Sequence, residues 1–210
     1  MTKKIYWESL ATEAEVEVLS CVWLESGGGA LRLDATPFHP QGGGQPSDIG
    51  RIGDAVVIRV ELDDGELIHF TDRPVLPGKA WAVIDVTWRE KNSRLHSAGH
   101  LIGHALESIK WAPVKAHHWP GEGRVVCVAR EGAASVDLNT VQRLCDELIS
   151  QDLPCEIRVS ESGYREVGFG DLAPYGCGGT HVSSTGKLEG LCVLSTELKK
   201  GKLSIFYEID

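Results

Sequence analysis

The 210-residue sequence contains no apolar run that approaches the ~18 residues of a membrane span, so no spanning helix is expected. Its opening residues, Met1 to Trp7, set no long apolar core behind their positive charges, and Glu8, Glu13, Glu15 and Glu17 follow at once. A secretory leader is therefore not expected. There is no CxxC pair: the cysteines at 21, 127, 145, 155, 177 and 192 lie scattered, which favours reduced thiols in a cytoplasmic protein over a disulfide framework. Positive charge is also short. Twenty-one Lys and Arg stand against 30 Asp and Glu, a net charge of -9 with a pI near 5.4, which counts against broad nonspecific nucleic-acid binding. Two local groups remain, Lys199, Lys200 and Lys202, and Arg89, Lys91 and Arg94. Each reads equally well as a contact patch or as solvated surface charge. Internal repeats and low-complexity tracts are absent.

What is present is ordinary for a globular chain: 42% hydrophobic and 24% charged residues, enough to bury a core as one large domain or two small ones. The 24 glycines cluster at Gly27 to Gly29 and Gly42 to Gly44 and read as turns and close backbone approaches. Short alternating or apolar runs at Val16 to Leu24, Ala30 to Ala35, Ala55 to Leu62, Glu66 to Thr71 and Ala80 to Val86 predict strands, with Asp63-Asp64-Gly65 as a hairpin turn. Together they suggest a small β-barrel over residues 1–88. The pattern then changes. Thr87 and Glu90 have capping-box spacing, and a helix is expected through Leu95, Leu101, Ile102, Ala105 and Leu106. A second helix over Leu138 to Ser150 carries Val141, Leu144, Cys145, Leu148 and Ile149 on one stripe. Strands at Arg124 to Ala129, Glu156 to Ser160, Leu191 to Ser195 and Leu203 to Glu208 complete an α+β chain, with a mixed two-layer domain over 89–210.

Three segments carry chemistry. His96 and His100 stand four apart on the first helix and share a face, so both imidazoles can reach one metal ion. His104 extends the stripe but is a poorer ligand. Cys177-Gly178-Gly179-Thr180-His181 is a turn-rich loop whose glycines let thiol and imidazole converge, and thiolate and imidazole are preferred zinc donors. HxxxH and CxxxH together supply four N/S ligands for one tetrahedral Zn²⁺ per chain. Three neutral imidazoles and one thiolate leave the ion about one net positive charge. Four protein ligands usually mark a closed site, so either one ligand is loose, or the zinc expands its coordination, or it orients a substrate while a separate water attacks. The third segment, Phe38 to Pro46, contains Gly42-Gly43-Gly44-Gln45 but lacks the GK[ST] ending of a P-loop. It reads as a loop approached closely by a ligand or another backbone, with Gln45 as a polar contact, or as a plain surface loop.

In this order the three segments resemble the editing half of alanyl-tRNA synthetase and its free-standing AlaX relatives: a GGGQ loop, then HxxxH, then CxGTH. The resemblance covers nearly the whole chain, and the GGGQ loop is similar to that of the longer AlaX form, which has a β-barrel before the editing domain. It implies hydrolysis of the ester joining a wrong amino acid, chiefly serine and sometimes glycine, to tRNA(Ala), with the acceptor end of the tRNA as partner. It implies His96, His100, Cys177 and His181 as metal ligands. Thr180 with the Gly178-Gly179 backbone would shape the pocket, and Gly42, Gly43, Gly44 and Gln45 would approach the tRNA end or the pocket. The catalytic group is not fixed, with Thr180, His117 and His118 as candidates. The chain departs from the pattern at His39, where the family often has tyrosine, at Gly99, which replaces a larger residue inside HxxxH, and at Lys115 to Trp119. An alternative that keeps the metal but drops the tRNA is a zinc-dependent hydrolase of small esters or amides.

Overall fold

The computed structural model describes residues 2–9, 11–25 and 27–210. It resolves into two compact units. The first comprises Met1–Gly42 with Pro46–Glu90, and the second Gly43–Gln45 with Lys91–Asp210.

The first unit contains β1 (Lys3–Lys4), α1 (Ile5–Glu8), β2 (Glu13–Trp23), β3 (Gly29–Leu33), β4 (Ala35–Thr36), β5 (Gly50–Ile52), β6 (Ala55–Asp63), β7 (Glu66–Thr71) and β8 (Gly78–Ile84). Six of the strands pair in the order β2-β3-β7-β6-β5-β8, and β8 returns to β2, giving a closed barrel. The period-2 alternation read from the sequence points Val16 and Val18, Leu31 and Leu33, and Ala82 and Ile84 inward, where they join Phe38, Ile52, Val57 and Val60 in one core. Each buried Val, Leu, Ile or Phe side chain contributes about 1.5–3 kcal/mol. The β6–β7 hairpin turns on Asp64 and Gly65, both at positive φ, as a two-residue turn requires. Among the polar residues buried in this unit, His69 on β7 is fully buried, its Nε2 2.8 Å from Thr36 Oγ1, and burial pushes its pKa down to about 4. Arg89 also belongs here. It is not a solvated surface cation but is ion-paired to fully buried Asp48 and donates to Pro37 O at 2.7 Å.

Helix α2 (Val86–Glu107) has its first residues in the first unit and the rest in the second. Its cap is Asp85, whose carboxylate accepts from Trp88 N at 2.9 Å, so the helix starts earlier than the Thr87–Glu90 box suggested. After it come β9 (Trp111–His117), β10 (Arg124–Ala129), α3 (Leu138–Ser150), β11 (Cys155–Val159), β12 (Arg165–Phe169), β13 (Tyr175–Gly176), β14 (Leu191–Lys199) and β15 (Lys202–Ile209). Four strands form an antiparallel sheet in the order β14-β15-β10-β9, and three more the order β11-β12-β13. The apolar face of α2 (Leu95, Ala98, Leu101, Ile102, Ala105, Leu106) shares a core with Val125, Val193, Leu203, Ile205 and Tyr207 of the larger sheet. The expected stripe of α3 packs on the same core, with Asp137 capping Thr140 N at 2.8 Å. The class is α+β, as expected. Strand β9 escaped the sequence reading because it is an edge strand interrupted by Pro113 at a bulge, and β12 because Gly168 breaks its pattern. No helix among the described residues is long and apolar enough to cross a membrane.

Candidate metal centre

Within the second unit, α2 presents His96 and His100 one turn apart, and the loop after β13 presents Cys177 and His181. One donor atom from each of the four lies within 4.8 Å of all the others. Cys177 Sγ is 3.4 Å from His96 Nε2 and 3.2 Å from His181 Nε2. Tetrahedral zinc with bonds of ~2.0–2.3 Å puts its ligand atoms about 3.3–3.6 Å apart, so these spacings and this donor set fit a single ion.

The supporting contacts aim the donors. Gln45 Oε1 accepts from Thr180 N at 3.0 Å, which fixes the orientation of the amide, and lies 2.6 Å from His96 Nδ1. His96 therefore carries its hydrogen on Nδ1 and turns a bare Nε2 toward the cysteine. The other half of the Gln45 amide donates to Thr180 Oγ1 at 2.8 Å, and Ser93 Oγ closes the chain 2.7 Å beyond. On the other side, Ser97 Oγ sits 3.0 Å from His181 Nδ1 and accepts from Val182 N at 3.1 Å. Arg165, from β12, holds the cysteine loop by donating to Cys177 O at 2.7 Å and Gly179 O at 3.0 Å. Gly179 has to be glycine: a Cβ there would fall 2.1 Å from His96 Cε1 and 2.8 Å from Gln45 Oε1. Burial pushes His100 down to about 3, with His118, His104 and Arg165 adding to the effect, so the imidazole is neutral, the form that ligates. Burial raises the Cys177 thiol, while Gly179 N–H and Arg165 pull the other way.

Three of the four donor residues, His96, His100 and Cys177, line a cavity of about 360 Å³ together with Gly43, His118, Tyr175 and Gly178. At one wall the Tyr175 hydroxyl donates to Glu107 at 2.6 Å and His104 stacks on the Tyr175 ring. His104 thus packs against the site without joining the four donors.

The candidate residues divide as follows. Gly43 and Gly178 reach the cavity, whereas Gly42 is exposed and outside its lining. Gly44, at φ +79°, passes so near β9 that a Cβ would lie 2.8 Å from Ala116 O, so the glycine loop is approached by another backbone. Gln45 is fully buried and spends its amide on His96 and Thr180, and Thr180 is turned onto Gln45 and Ser93. His117 lies apart, 3.0 Å from Glu122 and stacked on Trp119. His118 is brought in: its ring stacks on His96 with centroids 4.5 Å apart, and burial lowers it to about 4. His39 packs edge-on against Tyr6 in the first unit. Ser97, Arg165 and Tyr207 carry no motif and had no signal in the sequence.

No protein-family profile matches the chain. Among curated proteins it is 30% identical to the alanine–tRNA ligase of Halorubrum lacusprofundi, over 93% of this chain and 24% of that protein. It is 30% identical to the alanine–tRNA ligase of Carboxydothermus hydrogenoformans, over 85% of this chain and 22% of that one. It is 29% identical to the mouse alanyl-tRNA editing protein Aarsd1, over 95% of this chain and 57% of that protein. The chain is thus a relative of the alanine–tRNA ligases. More particularly, it is similar to an alanyl-tRNA editing protein over nearly all of its own length. It spans only about a quarter to just over half the length of these relatives.

Proposed function

We propose that the protein is a cytoplasmic trans-editing hydrolase that deacylates mischarged tRNA(Ala), chiefly Ser-tRNA(Ala) and also Gly-tRNA(Ala). In this reading the barrel unit with residues 1–88 precedes an editing domain over 89–210, and His96, His100, Cys177 and His181 hold one zinc ion. The observation that carries the reading is the convergence of these four donors, three of them lining a cavity with room for an aminoacyl group, in a chain related to alanyl-tRNA editing proteins.

When bound, the ion would supply a Lewis-acidic positive charge to the site. The chain's own residues do the remainder. Gln45 fixes the tautomer of His96, Ser97 Oγ holds the His181 ring, and the His96, His100 and His118 rings line the cavity. A synthetase pocket cannot strongly reject serine, which only adds a hydroxyl to alanine. A second site that bonds the hydroxyl can spare alanine, whose methyl leaves polar groups unpaired.

The test is a panel of charged tRNAs with and without chelator. Release of serine from Ser-tRNA(Ala), sparing of Ala-tRNA(Ala) and loss of turnover on chelation are expected. Intact Ser-tRNA(Ala) after hours with zinc present would end this reading. The net charge of -9 gives a specific reason to include free seryl esters. Equal turnover of these and of seryl-tRNA would favour the small-ester hydrolase.

A further inference from the structure

His118 occupies a place that the fold is shaped to admit. It follows β9 directly, its backbone N–H donating to Gly44 O at 2.9 Å. Its ring enters against α2 at Gly99, where even a methyl group would lie 2.2 Å from His118 Cε1 and 2.5 Å from Nδ1. A glycine in the middle of a 22-residue helix is unfavourable for the helix, yet here it is required by the imidazole. The ring then stacks on His96, at an interplanar angle of 17°.

The hydrogen bonds of the ring set which nitrogen is free. Tyr207 Oη donates to Leu95 O at 3.0 Å, so toward His118 Nδ1, 2.6 Å away, it acts as an acceptor. Nδ1 therefore carries the hydrogen and Nε2 carries the lone pair. Among the described residues Nε2 makes no hydrogen bond, while the ring lines the same cavity as His96, His100 and Cys177. The result is a rigid acceptor without a partner at the wall of the candidate active site.

We propose that His118 Nε2 is the specificity-determining acceptor for the side-chain hydroxyl of a β-hydroxy aminoacyl ester. This rests on the deacylase reading above. An acceptor aimed at the α-ammonium would serve every aminoacyl ester, alanyl included, and would discriminate nothing. One that meets the side chain is satisfied by serine and left bare against the methyl of alanine, which supplies the missing half of the selectivity. Gly99 and Tyr207 act through it as positioning residues, one making room and the other setting the tautomer.

The experiment compares kcat/KM on Ser-tRNA(Ala) and Gly-tRNA(Ala) for the wild type, His118→Asn and His118→Gln, with bound zinc measured in each. Asparagine keeps a donor for Tyr207 but has nothing at the place of Nε2, whereas the glutamine amide reaches it. The serine-to-glycine ratio is expected to fall about 10- to 100-fold in His118→Asn, the range for leaving one buried polar group unpaired, and to recover in large part in His118→Gln, with zinc content unchanged in both. Tyr207→Phe, which releases the tautomer, should lower the ratio less than His118→Asn. A wild-type ratio retained in His118→Asn, or equal losses on both esters, overturns the proposal and leaves the deacylase reading standing. A zinc content falling with both activities also overturns it, by making His118 a structural support of the ligands. A wild-type protein that cleaves neither ester overturns the deacylase reading and this inference with it.

Discussion

Replacing Gln45 by leucine tests how the donors are aimed. The side chain is fully buried and makes three hydrogen bonds: from His96 Nδ1 at 2.6 Å, from Thr180 N at 3.0 Å, and to Thr180 Oγ1 at 2.8 Å. Leucine fills a similar volume but leaves the His96 and Thr180 N–H groups without an acceptor. Each such buried donor costs about 1–3 kcal/mol, so the pair costs about 2–6 kcal/mol. Burial of the leucine side chain returns ~1–2 kcal/mol of this. A net loss of about 0–5 kcal/mol of stability, centred near 2–3 kcal/mol, is expected in the metal-free protein. The effect on metal is separate. With Nδ1 no longer pinned, His96 samples the other tautomer and other ring orientations, and zinc affinity should fall about 10- to 100-fold, as for other partners that orient ligand histidines. Competition against a chromophoric chelator reads the affinity, and denaturant melts with and without zinc read the stability. If Gln45→Leu binds zinc within about twofold of the wild type, Gln45 does not orient His96 and the geometric argument for the site is wrong.

Two other perturbations have definite signs. Gly99→Ala improves helix propensity by ~1 kcal/mol, but its methyl overlaps the His118 ring, an overpacking that costs about 1–3 kcal/mol. The melt should therefore not rise, and combining it with His118→Ala should recover stability, which a double-mutant cycle reads as coupling. His69 provides a pH test remote from the metal donors. Its folded pKa of about 4 lies below the unfolded value of 6.5, so it contributes nothing at pH 7, where it is neutral in both states. As pH falls below 6.5 only the unfolded chain takes up the proton, and stability is lost, by about 2 kcal/mol at pH 5, with most of the loss complete near pH 4. Urea midpoints for wild type and His69→Leu at pH 7 and pH 5 check this: the acid-induced drop should shrink in the variant, and an equal drop in both would refute it.

Much of the site was legible because its residues are spaced by simple periods. Four residues on a helix put His96 and His100 on one face, and a glycine pair between Cys177 and His181 lets the loop close, so donor type and spacing named all four before any geometry. The supporting groups were not legible in the same way. Gln45 stood out in its glycine loop, yet its role differs from a contact with an incoming ligand, because only the folded chain carries it 135 residues along to Thr180. Ser93, Ser97, Arg165 and Tyr207 are common residues with ordinary neighbours, and long-range packing alone gives them partners. Elements followed the same division. Strands β6, β7 and β10 and helix α3 carry strong periodicity and were read nearly to the residue. Edge strand β9, with its proline and bulge, was read as loop, and with it the placement of His118 was lost.

Everything proposed for this protein depends on four side chains meeting at one ion. Elemental analysis of the protein purified without added metal or chelator measures that directly. The account predicts one zinc per chain in the wild type and a marked loss in Cys177→Ala and in His100→Ala, with the fold retained by circular dichroism. A folded wild-type protein that carries no transition metal and takes up none when offered zinc would contradict it.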